Sequence, residues 1–188
     1  MVLVMLEGKN VNLRIIEKKD LQLVGEWFDD PRHYGEYLAL RQRSITDLEK
    51  RYDARSPEEN SFFILKKDGD IIGEIMHFPI GDLMEIGYSV IPNERRKGYC
   101  TEAVKIMVDY LFLSKKIIRI QAHTDIRNRA SEKVLEKSGF KKEGIIRKLS
   151  FIRGKWRDIA LFGILREEWK EPRILTEKQL HNKSTPFQ

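Results

Sequence analysis

Residues 94–103 read Glu-Arg-Arg-Lys-Gly-Tyr-Cys-Thr-Glu-Ala, a basic turn with one glycine, set between a strand-like run, Met84 to Ile91, and a helical pattern. Such a turn suits an anion. The first N–H groups of a helix have no intrahelical acceptor, and the N-terminus carries partial positive charge, so a phosphate placed there meets both needs. Gly98 lets backbone approach a ligand without a side chain in the way. Arg95, Arg96 and Lys97 add positive charge around the same spot. Pro92-Asn93 followed by charges also reads as a solvated loop, so the flanking pattern must decide between the two.

Downstream, Gly98 to Leu113 carries Ala103, Val104, Met107, Val108, Leu111 and Phe112 at helical spacing. Ile117 to His123 is a β-branched strand, and Asn128 to Ser138 a short helix stopped at Gly139. Two strands follow around Arg153-Gly154-Lys155 and end near Leu165. Upstream, Ser61 to Lys66 and Ile71 to Phe78 flank Lys67-Asp68-Gly69-Asp70, where Asp-Gly is a hairpin signal. With Met84 to Ile91 they make an antiparallel meander. Asn10 to Ile16 alternates as a half-buried strand, Lys18 to Asp29 is helical, and Ile45 to about Ala54 is a second helix whose capping box is Thr46 with Glu49. The order predicts an α+β fold with a central mixed, mostly antiparallel sheet flanked by helices and one βαβ unit, whose βα turn is the basic one. One domain spans residues 1–167. From Glu168 the composition turns polar, which predicts a tail over residues 168–188.

With 188 residues the chain has room for one domain and no second. At 41% hydrophobic and 34% charged it reads as globular, and no run approaches the roughly 20 apolar residues of a membrane span. Met1 to Leu6 is too short for a secretory segment. The single Cys100 excludes an intramolecular disulfide and fits a reducing cytoplasm, and the four histidines show no i, i+4 pair, so no metal is expected. Net charge of +6 favours anionic ligands, from a nucleotide cofactor to RNA, without choosing among them.

The element order, together with Arg95-x-x-Gly98-x-Cys100, resembles the GNAT superfamily of N-acetyltransferases, whose cofactor loop reads Arg/Gln-x-x-Gly-x-Gly/Ala. Leu13-Arg14 with Asp20 and Trp27, Glu85-Ile-Gly-Tyr88, Gly98 to Ala103, Asn128-Arg-Ala-Ser131, Lys137-Ser-Gly-Phe140, Glu143-Gly144, and Gly154 with Asp158 make it most similar to the RimJ and RimL type, which acetylate ribosomal-protein N-termini. The resemblance runs from about residue 8 to residue 167. It implies that the amides from Arg96 to Thr101, Tyr99 and Cys100 included, hold the pyrophosphate of acetyl-CoA. It also implies that strands splay near Ser89, Val90 and Ile91, where backbone groups bind the pantetheine arm and an N–H polarises the thioester carbonyl.

Two positions depart from that family. Cys100 stands where Gly or Ala is usual, and is either a small packing residue or a reactive thiol. Leu135 stands where many members carry a tyrosine acid. By resemblance to the RimL type, Ser131, three residues after Asn128, then becomes the group that protonates the departing thiolate, and both residues border the cofactor. The other reading of Ser131 is a polar first-turn helix residue. Glu85 is the candidate base and touches the acceptor amine, unless it is an ordinary solvent-side strand residue; Glu74 is held in reserve. Tyr34, Tyr37 and Arg41 line the acceptor groove by resemblance, while Trp27 and Phe28 read as core.

The activity so implied is transfer of acetyl from acetyl-CoA to an amine by direct attack, the acceptor being a protein N-terminal α-amino group, with ribosome association and a homodimer as its attendant partners. A small-amine acetyltransferase acting on an aminoglycoside or polyamine is the second reading. The third, of another class, is a non-catalytic RNA- or ribosome-binding domain using the cationic segment Lys141 to Arg157 with Phe151 and Trp156 as stacking groups.

Overall fold

Residues 5–170 are described by the computed structural model. Eight strands form one sheet: β1 (Met5–Glu7), β2 (Val11–Ile15), β3 (Asn60–Lys66), β4 (Ile71–Ile80), β5 (Leu83–Val90), β6 (Arg119–Asp125), β7 (Lys141–Ile152) and β8 (Lys155–Leu165). Their order across the sheet is β1-β2-β3-β4-β5-β6-β8-β7. Helices α1 (Leu21–Asp29), α2 (Pro31–Tyr34) and α3 (Ile45–Asp53) fall between β2 and β3. Helix α4 (Tyr99–Ser114) crosses from β5 to β6, and α5 (Arg129–Lys137) from β6 to β7. The α+β expectation, with a single βαβ unit, is met.

Every neighbouring pair is antiparallel except β5 and β6. That parallel contact is short, with Met84 opposite Ile120 and Glu85 opposite Gln121 its only registered pairs. Beyond Gln121, β6 stays bound to β8 through Asp125, which lies opposite Ile159. Strand β5 stays bound to β4 through Val90, which lies opposite Gly73. Each strand therefore follows a different neighbour, and a wedge opens between them from Ile86 onward. The opening starts about one turn of pleat earlier than the Ser89 to Ile91 expected from resemblance.

Helix α4 fixes where the wedge points. Ala103, Val104, Ile106, Met107, Leu111 and Phe112 are buried against Ile75, Ile86, Ile120 and Phe162 on one face of the sheet. Each large apolar side chain buried there contributes about 1.5–3 kcal/mol, which seats the helix firmly. Its first turn is pinned separately: the Glu102 carboxylate accepts from the backbone N–H of Asn10 at 2.7 Å and from Asn10 Nδ2 at 2.7 Å, in the β1–β2 turn. On the opposite face a smaller cluster forms from Ile16, Val24 and Phe63, with Trp27 and Phe28 packed on it, as their core assignment expects.

Three expectations differ from what is found. Strand β1 was not foreseen, because three residues are too few to show a period; it exists because β2 offers it an edge, with Leu6 opposite Leu13. The cap of α3 is Ser44, whose Oγ accepts from Asp47 N–H at 3.1 Å and donates to Asp47 Oδ2 at 2.7 Å; Thr46 lies inside the helix. The packed domain also extends past residue 167. Glu168 accepts from Leu165 N–H, and the Trp169 indole donates to buried Asp109 at 2.8 Å while packing on Phe112. The rest of the expected tail, residues 171–188, lies outside the described residues.

Candidate active site

The basic turn, residues 94–103, sits at the open end of the wedge. Gly98 is the N-cap of α4 in the left-handed conformation, φ 86°, and Arg96 also has positive φ, 65°. A non-glycine residue held there is strained, as backbone shaped around a ligand often is. Among the described residues no carbonyl accepts from the N–H groups of Arg96, Lys97, Gly98, Tyr99, Cys100 or Thr101. The first intrahelical bond is Glu102 N–H to the Gly98 carbonyl at 3.1 Å. A Cβ added at Gly98 would meet nothing within 4 Å. Six amides without acceptors, around a residue with open space over it, fit an anionic diphosphate.

The three cations of the turn do different work. The Arg95 guanidinium donates to the Val90 carbonyl through Nε at 2.8 Å and to the His33 carbonyl through a terminal nitrogen at 2.5 Å, tying α2 to the end of β5. Lys97 pairs with Glu94 at 3.0 Å. Arg96 is exposed and keeps no such partner among the described residues. The charge free to meet a ligand therefore rests mainly on Arg96.

Along the β5 side of the wedge, Ile91 N–H bonds the Ile72 carbonyl of β4 at 2.9 Å. By the alternation of a strand, the amides of Ser89 and Ile91 turn toward β4, and those of Tyr88 and Val90 toward the wedge. Ser89 instead contributes its side chain: Ser89 Oγ lies 3.0 Å from His33 Nε2, and the Trp27 indole stacks on that imidazole at 4.6 Å.

On the α5 side, Asn128 caps the helix by accepting Ser131 N–H at 3.1 Å. Ser131 Oγ lies 2.9 Å from the Tyr88 hydroxyl, which comes from β5. Burial, with a smaller contribution from nearby Cys100, pushes the Tyr88 phenol well above its usual range. Burial likewise pushes the Cys100 thiol up to about 12. A thiol so protonated is a packing residue, not a nucleophile. Leu135 is fully buried, so the hydroxyls here are those of Tyr88 and Ser131.

At the root of the wedge Glu85 lies on the opposite face of β5 from Tyr88. Its Oε2 accepts from Gln121 Nε2 at 2.8 Å and faces His123 Nδ1 at 2.9 Å. Glu74, the reserve candidate, is buried one strand away, opposite Ser89. The segment after α2 closes over this face. Tyr37 lies under the Arg127 guanidinium, 5.4 Å from ring centroid to Cζ, and Arg153 donates to the Gly35 carbonyl at 2.7 Å. Arg41 is exposed in the same segment. Tyr34 ends α2, and its side chain lies outside the described residues. Phe151 and Trp156 are exposed cross-strand partners far along the β7–β8 hairpin, ring centroids 5.5 Å apart.

A family model, Acetyltransferase (GNAT) domain, matches residues 10–141. The chain belongs to the GNAT acetyltransferase family. It is an acetyl-transferring enzyme, which leaves the non-catalytic RNA-binding reading without support. Named relatives include "Probable N-acetyltransferase YjcK" of Bacillus subtilis, 34% identical over 86% of this chain and 97% of the relative. The spermidine N(1)-acetyltransferase of Vibrio cholerae is 22% identical, over 86% of this chain and 96% of the relative. Among solved structures, the ribosomal-protein-S5-alanine acetyltransferase from Vibrio fischeri superposes with a TM-score of 0.76 at 25% identity, covering 89% of this chain and 99% of that one.

In this GNAT domain, the sequence pointed to Glu85 and Ser131 as candidates but not to the groups that touch them. Gln121 and His123 read as plain strand residues, and Tyr88 only as part of the Glu85-Ile-Gly-Tyr88 motif. A signal existed: Gln121, His123 and Asp125 alternate with Ile120, Ala122 and Thr124, so β6 shows polar groups to the Glu85 face. Among the described residues no group of three or more His, Cys, Asp or Glu could hold a metal ion, and no helix is long and apolar enough to cross a membrane.

Proposed function

We propose that this GNAT enzyme transfers acetyl from acetyl-CoA to the N-terminal α-amino group of a protein, a ribosomal protein in the cytoplasm, within a ternary complex. The observation that carries the reading is the wedge itself. One side ends in six unpartnered amides that suit the pyrophosphate, and the other face presents Glu85, Gln121 and His123, which suit an amine. The pantetheine arm would run between them along β5, with Tyr88 and Val90 offering backbone groups. An amide N–H at this point can polarise the thioester carbonyl as it gains charge.

Two features favour an α-amino acceptor over a polyamine. An α-amino group, pKa about 7.7–8.0, gives up its proton far more readily than an alkyl ammonium near 10.4, and it needs one polar cluster, not a string of acidic groups. Around the closing segment Arg127 is already matched by Asp125 and Glu36, while Arg153 and Arg41 add positive charge, which disfavours a polycation. The test measures thiol release from acetyl-CoA with peptides of varied N-terminal residue, spermidine and an aminoglycoside, each product confirmed by mass. Turnover confined to free α-amino peptides is the expected result; turnover confined to spermidine or the aminoglycoside overturns the acceptor assignment.

The leaving thiolate needs one proton. The Ser131 and Tyr88 hydroxyls, 2.9 Å apart, form the pair placed to give it, Ser131 nearer the start of α5 and Tyr88 behind it. Ser131→Ala and Tyr88→Phe should each lower kcat by about 10-fold, and the double variant by little more than either alone, since a relay is lost once. Fully multiplicative losses would mean that the two act separately.

A further inference from the structure

We propose that Nε2 of His123 is the atom that takes the proton from the acceptor amine, and that Glu85 serves to hold the ring. This deepens the reading above and rests on its placing of an amine at this face.

Two donors meet on Glu85. Gln121 Nε2, at 2.8 Å, and His123 Nδ1, at 2.9 Å, converge on the same oxygen, Oε2. That oxygen is committed to holding two side chains. A carboxylate can only accept, so the contact requires hydrogen on Nδ1 and, in the neutral ring, leaves Nε2 as a bare lone pair. The arrangement follows the logic of a carboxylate that fixes an imidazole tautomer for base catalysis. Gln121 adds a second restraint, because it keeps the carboxylate from turning away from the ring.

Position supports the same assignment. Glu85 and Gln121 are the last registered pair of β5 and β6, so the carboxylate sits where the strands are still joined. His123 is two residues farther along β6, on the same face as Gln121 and on the part of the strand that has left β5. Of the two groups it is the one beside the wedge. Its side chain is also the more open, 24% exposed against 14% for Glu85. The other histidines in the described part of the chain offer nothing comparable. His77 is fully buried in the α4 face, and His33 is buried with Nε2 on Ser89 Oγ. Nε2 of His123 has no partner among the described residues, which is what a group awaiting a substrate proton requires.

The step balances. The amine nitrogen forms a bond to the thioester carbonyl carbon as the C–S bond breaks. His123 Nε2 takes the proton that nitrogen sheds, and the departing sulfur receives one from the Ser131 side. The imidazolium then returns its proton to solvent, and the Ser131–Tyr88 pair takes one back from it. Amine plus thioester becomes amide plus thiol, with no oxidant, metal or acyl-enzyme.

The first measurement needs no acceptor. Long-range proton–nitrogen NMR of the imidazole rings, with His123→Gln used to assign the signal, should show His123 with hydrogen on Nδ1, and Glu85→Leu, which has no acceptor, should remove that preference. A bare Nδ1 in the native chain overturns the proposal outright. The second is kinetic, run on whichever member of the peptide, spermidine and aminoglycoside panel is turned over. His123→Gln keeps a donor toward Glu85 but no base, so kcat should fall by about 100-fold or more, with acetyl-CoA affinity unchanged. His123→Ala should regain part of its rate when free imidazole is added, while Glu85→Gln should not. Turnover within about twofold of native in His123→Gln sinks the role. If only spermidine is acetylated, the acceptor reading fails and the His123 result still stands on that substrate; if nothing is acetylated, the tautomer alone decides.

Discussion

Gly98→Trp is expected to abolish acetyl-CoA binding, weakening it by at least about 100-fold, or roughly 2.7 kcal/mol. Gly98 begins α4 with φ 86°, and a Cβ placed on it meets no protein atom within 4 Å. An indole there would fill the space over the amides of Arg96 to Thr101, the same space a diphosphate must enter. The fold should tolerate the change, because nothing in the protein is displaced. The remaining cost is the left-handed conformation, about 1–2 kcal/mol for a residue with Cβ, equivalent to a fall in Tm of roughly 2–8 °C at this size. Gly98→Ala carries that same strain without the bulk, so it separates the two effects: it should share the loss of Tm and retain most of the affinity. Titration calorimetry with acetyl-CoA checks both. Native affinity in folded Gly98→Trp would show that the diphosphate binds elsewhere.

Such an experiment was conceivable from sequence because the loop is local. Glycine spacing, clustered cations and the switch from strand to helix all lie within ten residues, and the anion site follows from helix-end chemistry. Glu85 was legible for a similar reason, since a carboxylate in a strand leading to that loop stands out. What sequence could not show was pairing between distant strands. His123 and Gln121 lie 38 and 36 residues from Glu85, and Tyr88 lies 43 from Ser131. Those contacts depend on the register of one short parallel pair and on where β5 and β6 part. Arg95 has a further role. Its charge suggested a phosphate ligand, and the carbonyls of Val90 and His33, ends of two elements that a linear reading keeps apart, accept two of its N–H groups. Trp169 was missed because one aromatic residue in a polar stretch has no period, although Phe112 and Asp109 give it a site.

Mild acid should destabilise this protein through two buried histidines. His33 and His77 are 2% and 0% exposed. Burial, reinforced by Arg95 for His33 and by Lys115 for His77, pushes each imidazole down to about 4. The unfolded chain binds these protons near pH 6.5. A folded value below the unfolded one means that the unfolded state holds more protons between them, so stability falls as pH falls through that window. By pH 5 each residue removes about 2 kcal/mol relative to pH 7.5, at 1.36 kcal/mol per pH unit. The two lie on opposite faces of the sheet, one on Ser89 and one between Phe62 and Tyr110, so the losses add to about 4 kcal/mol. Asp20 and Asp125 do not blur the window. Burial would raise Asp20 and Asp125, but Arg14 and Arg127, with backbone N–H donors, hold them below their usual range, so their contribution is lost only under about pH 4. Urea unfolding at pH 7.5 and pH 5 measures the difference directly. His77→Leu, which places an apolar group of similar size in an apolar slot, should cut the pH-dependent loss by about half and leave the His33 share intact. An equal loss in native protein and variant would mean that His77 takes up its proton without unfolding, and that its pocket opens to water in the folded state.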